Sequence, residues 1–221
     1  MPEIDTPPAK SRRNKEQTKQ KLIDAVGRLL CDKGCQSVGI NSVAREAGVD
    51  KALIYRYFKD LNGLLRAYTQ QKDFWIKKGD EVDISTLPTT ELEQTAKNFY
   101  QEFFTDFWDN CEVLELLKWE LMGKNGASDI IAEERGLNAE RWIERIQKVW
   151  HPAGIDTAAM LSLINGGLYF LAMHAKMHQK YDTIDLGTDQ GRERIQDTVE
   201  QLLTMIFHCA DHLPPKEVND N

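Results

Sequence analysis

Apolar residues recur every three to four positions along most of this chain, which is the spacing of helices with one buried face. No sustained alternation of apolar and polar residues indicates β-strands. The pattern therefore predicts an all-α protein. Glycine, proline and capping residues set the ends of the predicted helices, which cover residues 15–33, 41–47, 51–59, 62–78, 91–108, 109–123, 128–150, 156–181 and 189–212.

Two of the predicted helices are short and stand close together, within Asn41–Lys59. Val43 and Ala47 lie on an apolar face of the first one. Gly48 follows where a tight turn needs a non-helical backbone, and Asp50 stands where the second helix needs an N-cap acceptor. This spacing predicts a helix-turn-helix whose second helix enters the major groove of DNA.

The second short helix has two different faces. Ile54 and Phe58 are four residues apart and face one way. The opposite face carries cations, a phenol and a small residue, which are Lys51, Ala52, Tyr55, Arg56 and Lys59. Cations neutralise phosphates, a phenol hydroxyl bonds to a phosphate oxygen, and arginine binds guanine through two hydrogen bonds. This face therefore favours DNA as a partner; the alternative is a helical hairpin that packs an ordinary core.

Three stretches of this region carry a family resemblance. Ala44, the run Ala47-Gly48-Val49 and the run Tyr55-Arg56-Tyr57-Phe58 resemble the signature of the tetracycline-repressor (TetR) family of bacterial regulators. The resemblance extends from Thr18 to about Tyr68 and implies an N-terminal three-helix DNA-binding domain, followed by a larger helical domain for ligand binding and dimerisation. The residues that we predict to contact DNA are Arg12, Arg13, Asn41, Arg45, Lys51, Ala52, Leu53, Tyr55, Arg56, Tyr57 and Lys59.

Three positions depart from the family pattern. Gly39 stands where the family usually has a capping Thr, so we expect Asn41 to cap the first short helix. Leu53 stands among positions that are usually small or hydroxylated, and it could press on a thymine methyl group. Leu61 replaces a Lys that commonly meets a phosphate in the family, so we expect Lys59 to take over that contact.

The charge of the chain is divided unevenly. The formal net charge is −7, but residues 1–72 contain 14 Lys and Arg against 8 Asp and Glu, which is +6, and the remaining residues carry −13. A basic first third on an acidic remainder points to a polyanion as partner of the first third alone. Arg12 and Arg13 belong to a short basic arm, which either adds phosphate or minor-groove contacts or serves as a solubilising tail.

Composition also predicts the division into segments. We expect a flexible basic arm over residues 1–14, a helix-turn-helix domain over 15–61, a helical ligand-binding and dimerisation domain over 62–212, and a flexible tail over 213–221. No apolar run approaches the ~20 residues of a membrane span, and the N-terminus is polar, so we predict a cytoplasmic protein that does not bind membranes. The four cysteines are then expected as free thiols.

Aromatic side chains are frequent after residue 98, and polar side chains stand on otherwise apolar stretches among them. Such a mixture is typical of pockets for small molecules, although an aromatic stripe at helical spacing also fills ordinary cores. His174 and His178 have metal-ligand spacing without a third ligand, and we predict neither metal nor cofactor. The residues predicted for an apolar or aromatic effector are Phe103, Phe107, Trp119, Trp142, Asn165, Tyr169, Met173 and His174.

The last two long helices are the predicted homodimer interface. Gly166 and Gly167 lie in mid-helix, where glycine costs ~1 kcal/mol against alanine, and close approach of another backbone is one reason to keep them. Room for a ligand and a kink are the alternatives. The predicted function is a dimeric transcriptional repressor that binds double-stranded DNA at a palindromic operator. The alternatives are a helical enzyme or carrier with an incidental hairpin, and a regulator controlled by a protein partner.

Overall fold

The structure is a computed structural model that describes residues 9–72, 84–122, 126–150, 152 and 154–209. These residues contain nine α-helices, which confirms the all-α prediction. The helices are α1 (Ala9–Lys33), α2 (Ile40–Ala47), α3 (Ala52–Phe58), α4 (Leu61–Lys72), α5 (Thr89–Trp108), α6 (Cys111–Met122), α7 (Gly126–Val149), α8 (Thr157–Met177) and α9 (Asp189–Cys209). A small antiparallel hairpin, β1 (Lys180–Tyr181) and β2 (Ile184–Asp185), joins α8 to α9, with Tyr181 opposite Ile184.

The chain divides into two compact units. The first, here called the head unit, comprises the described parts of Met1–Lys72 and Glu115–Arg135. The second, the body unit, comprises the described parts of Asp73–Leu114 and Gly136–Asn221. The head unit therefore includes α4 and parts of α6 and α7, in addition to the helices predicted within residues 15–61.

The core of the head unit is built from the apolar faces that helical spacing predicted in its first four helices. Side chains removed from water in α1, α3 and α4 include Leu22, Leu30, Ile54, Leu64, Leu65 and Tyr68. Leu116, Trp119 and Ile131, from the later segment of the head unit, belong to the same core. Burial of a large apolar side chain contributes ~1.5–3 kcal/mol, so this cluster is the main source of stability of the unit.

Several predicted helix starts are corrected by the structure. The first helix begins at Ala9, so residues 9–14 form helical turns rather than part of a flexible arm. The second begins at Ile40 after Gly39, and Ser42 Oγ accepts the Gly39 N–H at 3.0 Å, so Asn41 is not the cap. Ser42 stands at the third position of the helix, from which a side chain reaches back to the N–H of the capping residue.

Helix ends in the body unit also differ from prediction. α5 begins at Thr89 after Pro88. Asn110 Oδ1 accepts the Val113 N–H at 3.3 Å. At the other end of the unit α8 stops at Met177, and Tyr181 lies in β1 rather than in the helix. The predicted stretches 73–78 and 210–212, the break near 79–83 and the tail 213–221 lie outside the described residues.

α8 is long and apolar enough to resemble a membrane span, which the sequence analysis did not predict. It has 21 residues, its most apolar 18-residue window has a mean hydropathy of 1.3, and only 17% of that window is buried. By length and composition it could cross a bilayer. An unbroken apolar run is absent from this helix because polar residues such as Ser162 and Asn165 interrupt it, although the average hydropathy stays high.

The cysteines differ from the expectation of four free thiols. Cys35 is a free thiol, whereas Cys31 and Cys111 are each part of a disulfide. A disulfide depends on the distance between two Cβ atoms, which spacing along a chain does not reveal. The side chain of Cys209 is not among those that the structure describes.

Candidate nucleic-acid interface and body cavity

The turn between α2 and α3 has the geometry that the sequence predicts. Gly48 ends α2 with a left-handed backbone at φ 66°, a conformation that glycine adopts without the strain of a Cβ atom. The Val49 N–H donates to the Ala44 carbonyl at 3.0 Å, which closes the turn. Asp50 Oδ1 then accepts the Ala52 N–H at 2.7 Å and satisfies one of the free donors at the start of α3.

Burial fixes which face of α3 is available to a partner. Ile54 is fully buried against the head core, and Phe58 is partly buried on the same side. Tyr55 is 52% exposed on the opposite side. An exposed face of this composition, held on a rigid buried back, is suited to polyanion contact.

The residues predicted to contact DNA divide into two groups in the structure. Arg13, Asn41, Arg45, Lys51, Ala52, Tyr55, Arg56 and Lys59 are exposed. Leu53 and Tyr57 are partly buried and pack against the head core. The side chain of Arg12 is not among those that the structure describes. Part of the surface of Leu53 and Tyr57 is therefore covered by the core and is not available to DNA. Direct DNA contact by any of the predicted residues stays a prediction.

The corner between α3 and α4 is tightly built. Lys59 ends α3 with φ 74°, and the Gly63 N–H donates to Asp60 Oδ1 at 2.7 Å as α4 begins. A Cβ atom at Gly63 would lie 1.9 Å from the carbonyl oxygen of Phe58, so only glycine fits without a backbone shift. The corner therefore fixes α3 against α4.

Two contacts outside the predicted set link α1 to the interface. The Lys15 ammonium lies over the Tyr57 ring at 5.9 Å from its centroid. Arg28 Nε donates to Glu46 Oε1 at 2.7 Å, which joins α1 to α2 and holds the pKa of Glu46 below its usual value. Local spacing carries no signal for either pair, because the partners are far apart in the sequence.

Comparisons with known proteins agree with this geometry. The family described as bacterial regulatory proteins, tetR family, matches residues 22–68. An uncharacterised helix-turn-helix transcriptional regulator of Mycobacterium tuberculosis is 34% identical over 155 residues, which are 62% of this chain and 75% of that protein. This chain belongs to the TetR family of bacterial regulators.

Two further comparisons cover most of this TetR-family chain. The transposon Tn10 TetC protein of Escherichia coli is 24% identical over 170 residues, which are 74% of this chain and 82% of that protein. The structure of the fatty acid degradation regulator FadR from Bacillus halodurans has a TM-score of 0.61 at 19% identity and covers 84% of this chain and 94% of that one. At such identity the likeness is one of fold alone. The TetR-family relatives are transcriptional regulators rather than enzymes, and this protein is a DNA-binding transcriptional regulator.

The body unit of this TetR-family protein contains a cavity of about 90 Å³. Apolar side chains of α5, α7, α8 and α9 form most of its wall, and the hydroxyl-bearing residues are Thr95, Tyr100 and Thr157. The Tyr100 hydroxyl donates to Asn165 Oδ1 at 3.0 Å. Burial, and to a smaller degree Tyr169, raises the pKa of Tyr100 well above its usual range, so this hydroxyl stays protonated.

Of the residues predicted for effector binding, Trp142 lines this cavity. Phe103, Phe107 and Tyr169 instead pack on one another, with ring centroids 4.6 to 5.7 Å apart. Trp119 lies in the head core, Met173 is partly buried on α8, and a His174 ring nitrogen lies 3.0 Å from the Lys180 carbonyl oxygen.

The cavity residues that the sequence analysis did not predict include Phe99, Ile146, Trp150, Met160, Ile206 and Phe207. Their apolar side chains suit a buried helix face, but no local signal separates a cavity wall from a filled core.

Proposed function

We propose that this TetR-family protein is a dimeric, sequence-specific repressor in the cytoplasm, released from a palindromic operator by a small apolar or aromatic ligand. The observation that carries the proposal is the exposed face of α3. Lys51, Arg56 and Lys59 stand with Tyr55 on the side opposite the buried Ile54. A short helix that presents cations and a phenol after a rigid turn matches recognition of phosphates and base edges in a major groove.

The direct test is a selection of DNA duplexes from a random library with the purified protein at ~150 mM salt, where non-specific binding is weak. We expect enrichment of a palindrome whose half-sites lie about one helical turn apart or slightly more. Affinity for the enriched duplex should fall steeply with added salt, because bound phosphates release counterions. Recovery of sequences without a shared motif would contradict sequence-specific binding.

Substitutions on α3 separate phosphate contacts from base contacts. We expect Tyr55→Phe and Lys59→Ala to weaken binding to all duplexes alike, because a phosphate contact carries no sequence information. Arg56→Ala should relax specificity at one operator position by ~1–3 kcal/mol. The measurement is the affinity of each variant for the operator and for single-base variants of it. Equal losses on every duplex for all three variants would assign Arg56 to a phosphate.

The cavity of the body unit supports an effector of defined chemistry. The part of its wall that the structure describes contains no Asp, Glu, Lys, Arg or His, so an ion beside these residues would lose water without gaining a counter-charge. Its volume of about 90 Å³ is well below the ~300–1,000 Å³ typical of pockets for drug-sized ligands. The effector that fits without rearrangement is therefore compact and uncharged, with an apolar ring or a short aliphatic chain.

Two matched probes test this effector chemistry. We expect 4-fluorotoluene to bind, as followed by its ¹⁹F NMR signal, and 4-fluorobenzoate to bind at least ~100-fold more weakly, because its carboxylate would be desolvated without a partner. Ala96→Phe should fill the cavity and weaken 4-fluorotoluene binding, whereas the control Ala139→Phe adds the same ring at an exposed position of α7.

Equal binding of both probes, or equal binding of 4-fluorotoluene to wild type and Ala96→Phe, would contradict an apolar effector site here. An effector must also bind the two states of the protein with different affinity if it is to release DNA. If occupancy of the cavity leaves operator affinity unchanged, control by a protein partner becomes the favoured mechanism.

The dimer proposal is supported by the surface of α8. Three large apolar side chains follow one another at seven-residue spacing along α8. In the single chain, Leu163 is 78% exposed, Phe170 is 47% exposed and Met177 is 72% exposed. Gly166 and Gly167 lie between the first two, and a Cβ atom at either would meet nothing within 4 Å. An exposed apolar stripe with small residues allows another helix to approach closely.

α9 extends the apolar surface available for a dimer. Leu202 is 38% exposed and Met205 is 53% exposed on this helix. Both helices lie in the body unit, so the proposed dimer contact does not include α3. A second copy of the chain would then cover α8, which explains its apolar composition without a membrane.

A further inference from the structure

The body unit contains a second, smaller cavity of about 20 Å³ beside the larger one. Side chains of α5, α8 and α9 form its wall, and the same three helices contribute to the wall of the larger cavity. As far as the structure describes them, the two walls share Tyr100 of α5 and Leu203 of α9. These two side chains therefore lie between the two spaces, and we call the pair the partition.

The positions of the lining residues along each helix place the two cavities in a row. On α5, the larger cavity is lined within residues 92–100 and the smaller one within residues 97–104. On α9, the larger cavity is lined within residues 203–207 and the smaller one within residues 196–203. The cavities thus follow one another along a single groove of the body unit, and the partition stands where one ends and the next begins.

A hydrogen bond from α8 holds the partition at the same level of the groove. On this helix the larger cavity is lined within residues 157–161 and the smaller one by Leu168. Asn165 lies between these positions, and its Oδ1 accepts the hydroxyl of Tyr100 at 3.0 Å. Tyr100 is only 6% exposed, and a buried hydroxyl is costly to leave unpaired. The bond to Asn165 therefore resists rotation of the Tyr100 ring.

The two cavities differ in polarity. The wall of the smaller cavity includes Lys97, Gln101, Gln196 and Glu200. Lys97 Nζ lies 2.7 Å from Glu93 Oε1 and 4.0 Å from Glu200 Oε1. The smaller cavity has room for about one water molecule, which such polar groups can bind. An apolar chain that passed the partition would take water from these groups without replacing its hydrogen bonds.

From this arrangement we propose that Tyr100 is a specificity-determining residue that limits the length of the effector. An effector that binds the wild-type protein ends at the partition, and Asn165 is the positioning residue that holds the Tyr100 ring in place. The proposal rests on the proposed function, because it concerns the same effector site. It adds that the effector is short as well as uncharged, which the polarity of the wall does not determine.

The test is a series of 4-alkylfluorobenzenes, with alkyl chains from methyl to pentyl, whose binding to the full chain is followed by ¹⁹F NMR. In wild type, we expect affinity to rise about 4-fold for each CH₂ group that enters the larger cavity. The rise should stop at a limiting chain length, because close-packed side chains do not admit further atoms without strain.

Tyr100→Ala is expected to join the two cavities and to move this limit to a longer chain. The affinity ratio between the pentyl and the methyl compound should be at least ~10-fold larger in Tyr100→Ala than in wild type, because about two further CH₂ groups are buried. Using this ratio cancels any loss of contact that affects every compound alike. Leu203→Ala removes the other side of the partition and should raise the same ratio, which keeps the test decisive if Tyr100→Ala does not fold.

Tyr100→Phe tests the role of Asn165. This variant keeps the ring but loses the hydroxyl that Asn165 accepts. We expect a ratio between those of wild type and Tyr100→Ala, because the ring still separates the cavities but is no longer held. A ratio equal to that of wild type would overturn the positioning role of Asn165.

Phe104→Ala is the matched control. Phe104 lies one helical turn beyond Tyr100 on α5, and it lines the smaller cavity without lining the larger one. The substitution also removes a large ring, but it leaves the partition in place. It should therefore leave the limiting chain length as in wild type. If Tyr100 serves only the stability of the body unit, its substitution would lower the unfolding temperature without changing the ratio.

The outcomes separate this inference from the proposed function. If wild type shows no limiting length, if folded Tyr100→Ala and Leu203→Ala keep the wild-type ratio, or if Phe104→Ala raises the ratio as much, the role of the partition is overturned. In each of these cases the larger cavity still binds apolar compounds, so the proposed effector site stands. If no compound of the series binds wild type, the proposed effector site fails, and the inference fails with it.

Discussion

Replacing Leu163 and Phe170 together by glutamate is expected to convert a dimer into a monomer and to weaken operator binding by about 10²–10⁴-fold. Two facing copies of the α8 stripe would bring like charges together in an apolar contact. In a dimer, binding of one half-site holds the second DNA-binding domain close to the other half-site. A monomer loses this gain in effective concentration. The measurements are the mass in solution by light scattering and the affinity for the full operator.

Leu137→Glu is the control for the dimer prediction, because Leu137 is 43% exposed on α7 and lies outside the stripe. It should change neither mass nor affinity appreciably. A wild-type protein that is monomeric at micromolar concentration would contradict the dimer. If such a monomer also bound phospholipid vesicles through α8, its apolar composition would have to be explained by a membrane instead.

Replacing Gly63 by alanine is expected to destabilise the head unit by ~1–3 kcal/mol or more and to abolish operator binding under conditions where wild type binds tightly. The new Cβ atom would lie 1.9 Å from the Phe58 carbonyl oxygen, and that oxygen belongs to the backbone and cannot rotate away. Either α4 starts differently or α3 moves, and both change the reading face. Thermal unfolding and operator affinity check this expectation.

Gly136→Ala provides the matched comparison for Gly63→Ala. Gly136 is also helical, but a Cβ atom there meets nothing within 4 Å. The same chemical change should therefore stabilise the protein by up to ~1 kcal/mol through helix propensity. Equal unfolding temperatures for the two variants would show that the corner between α3 and α4 tolerates a side chain.

The helix-turn-helix was predictable because its signals are local. Gly48 in the turn, Asp50 as an acceptor and Ile54 on the buried side each act within a few residues of where they stand in the sequence. The structure bears out each of these features. The cap of α2 was not predicted correctly, because Asn41 and Ser42 are both plausible acceptors and only the backbone path decides which one reaches Gly39.

The sequence by itself determined an all-α chain, a helix-turn-helix near its start and the composition of the exposed face of α3, because helical period, turn chemistry and capping are short-range effects. Only the tertiary structure decided which aromatic rings fill the core and which line a cavity. It also brought Trp119 into the head core and set Arg66 beside Glu134, 68 residues away. Such contacts depend on how helices pack, and packing places distant residues together without a local signature.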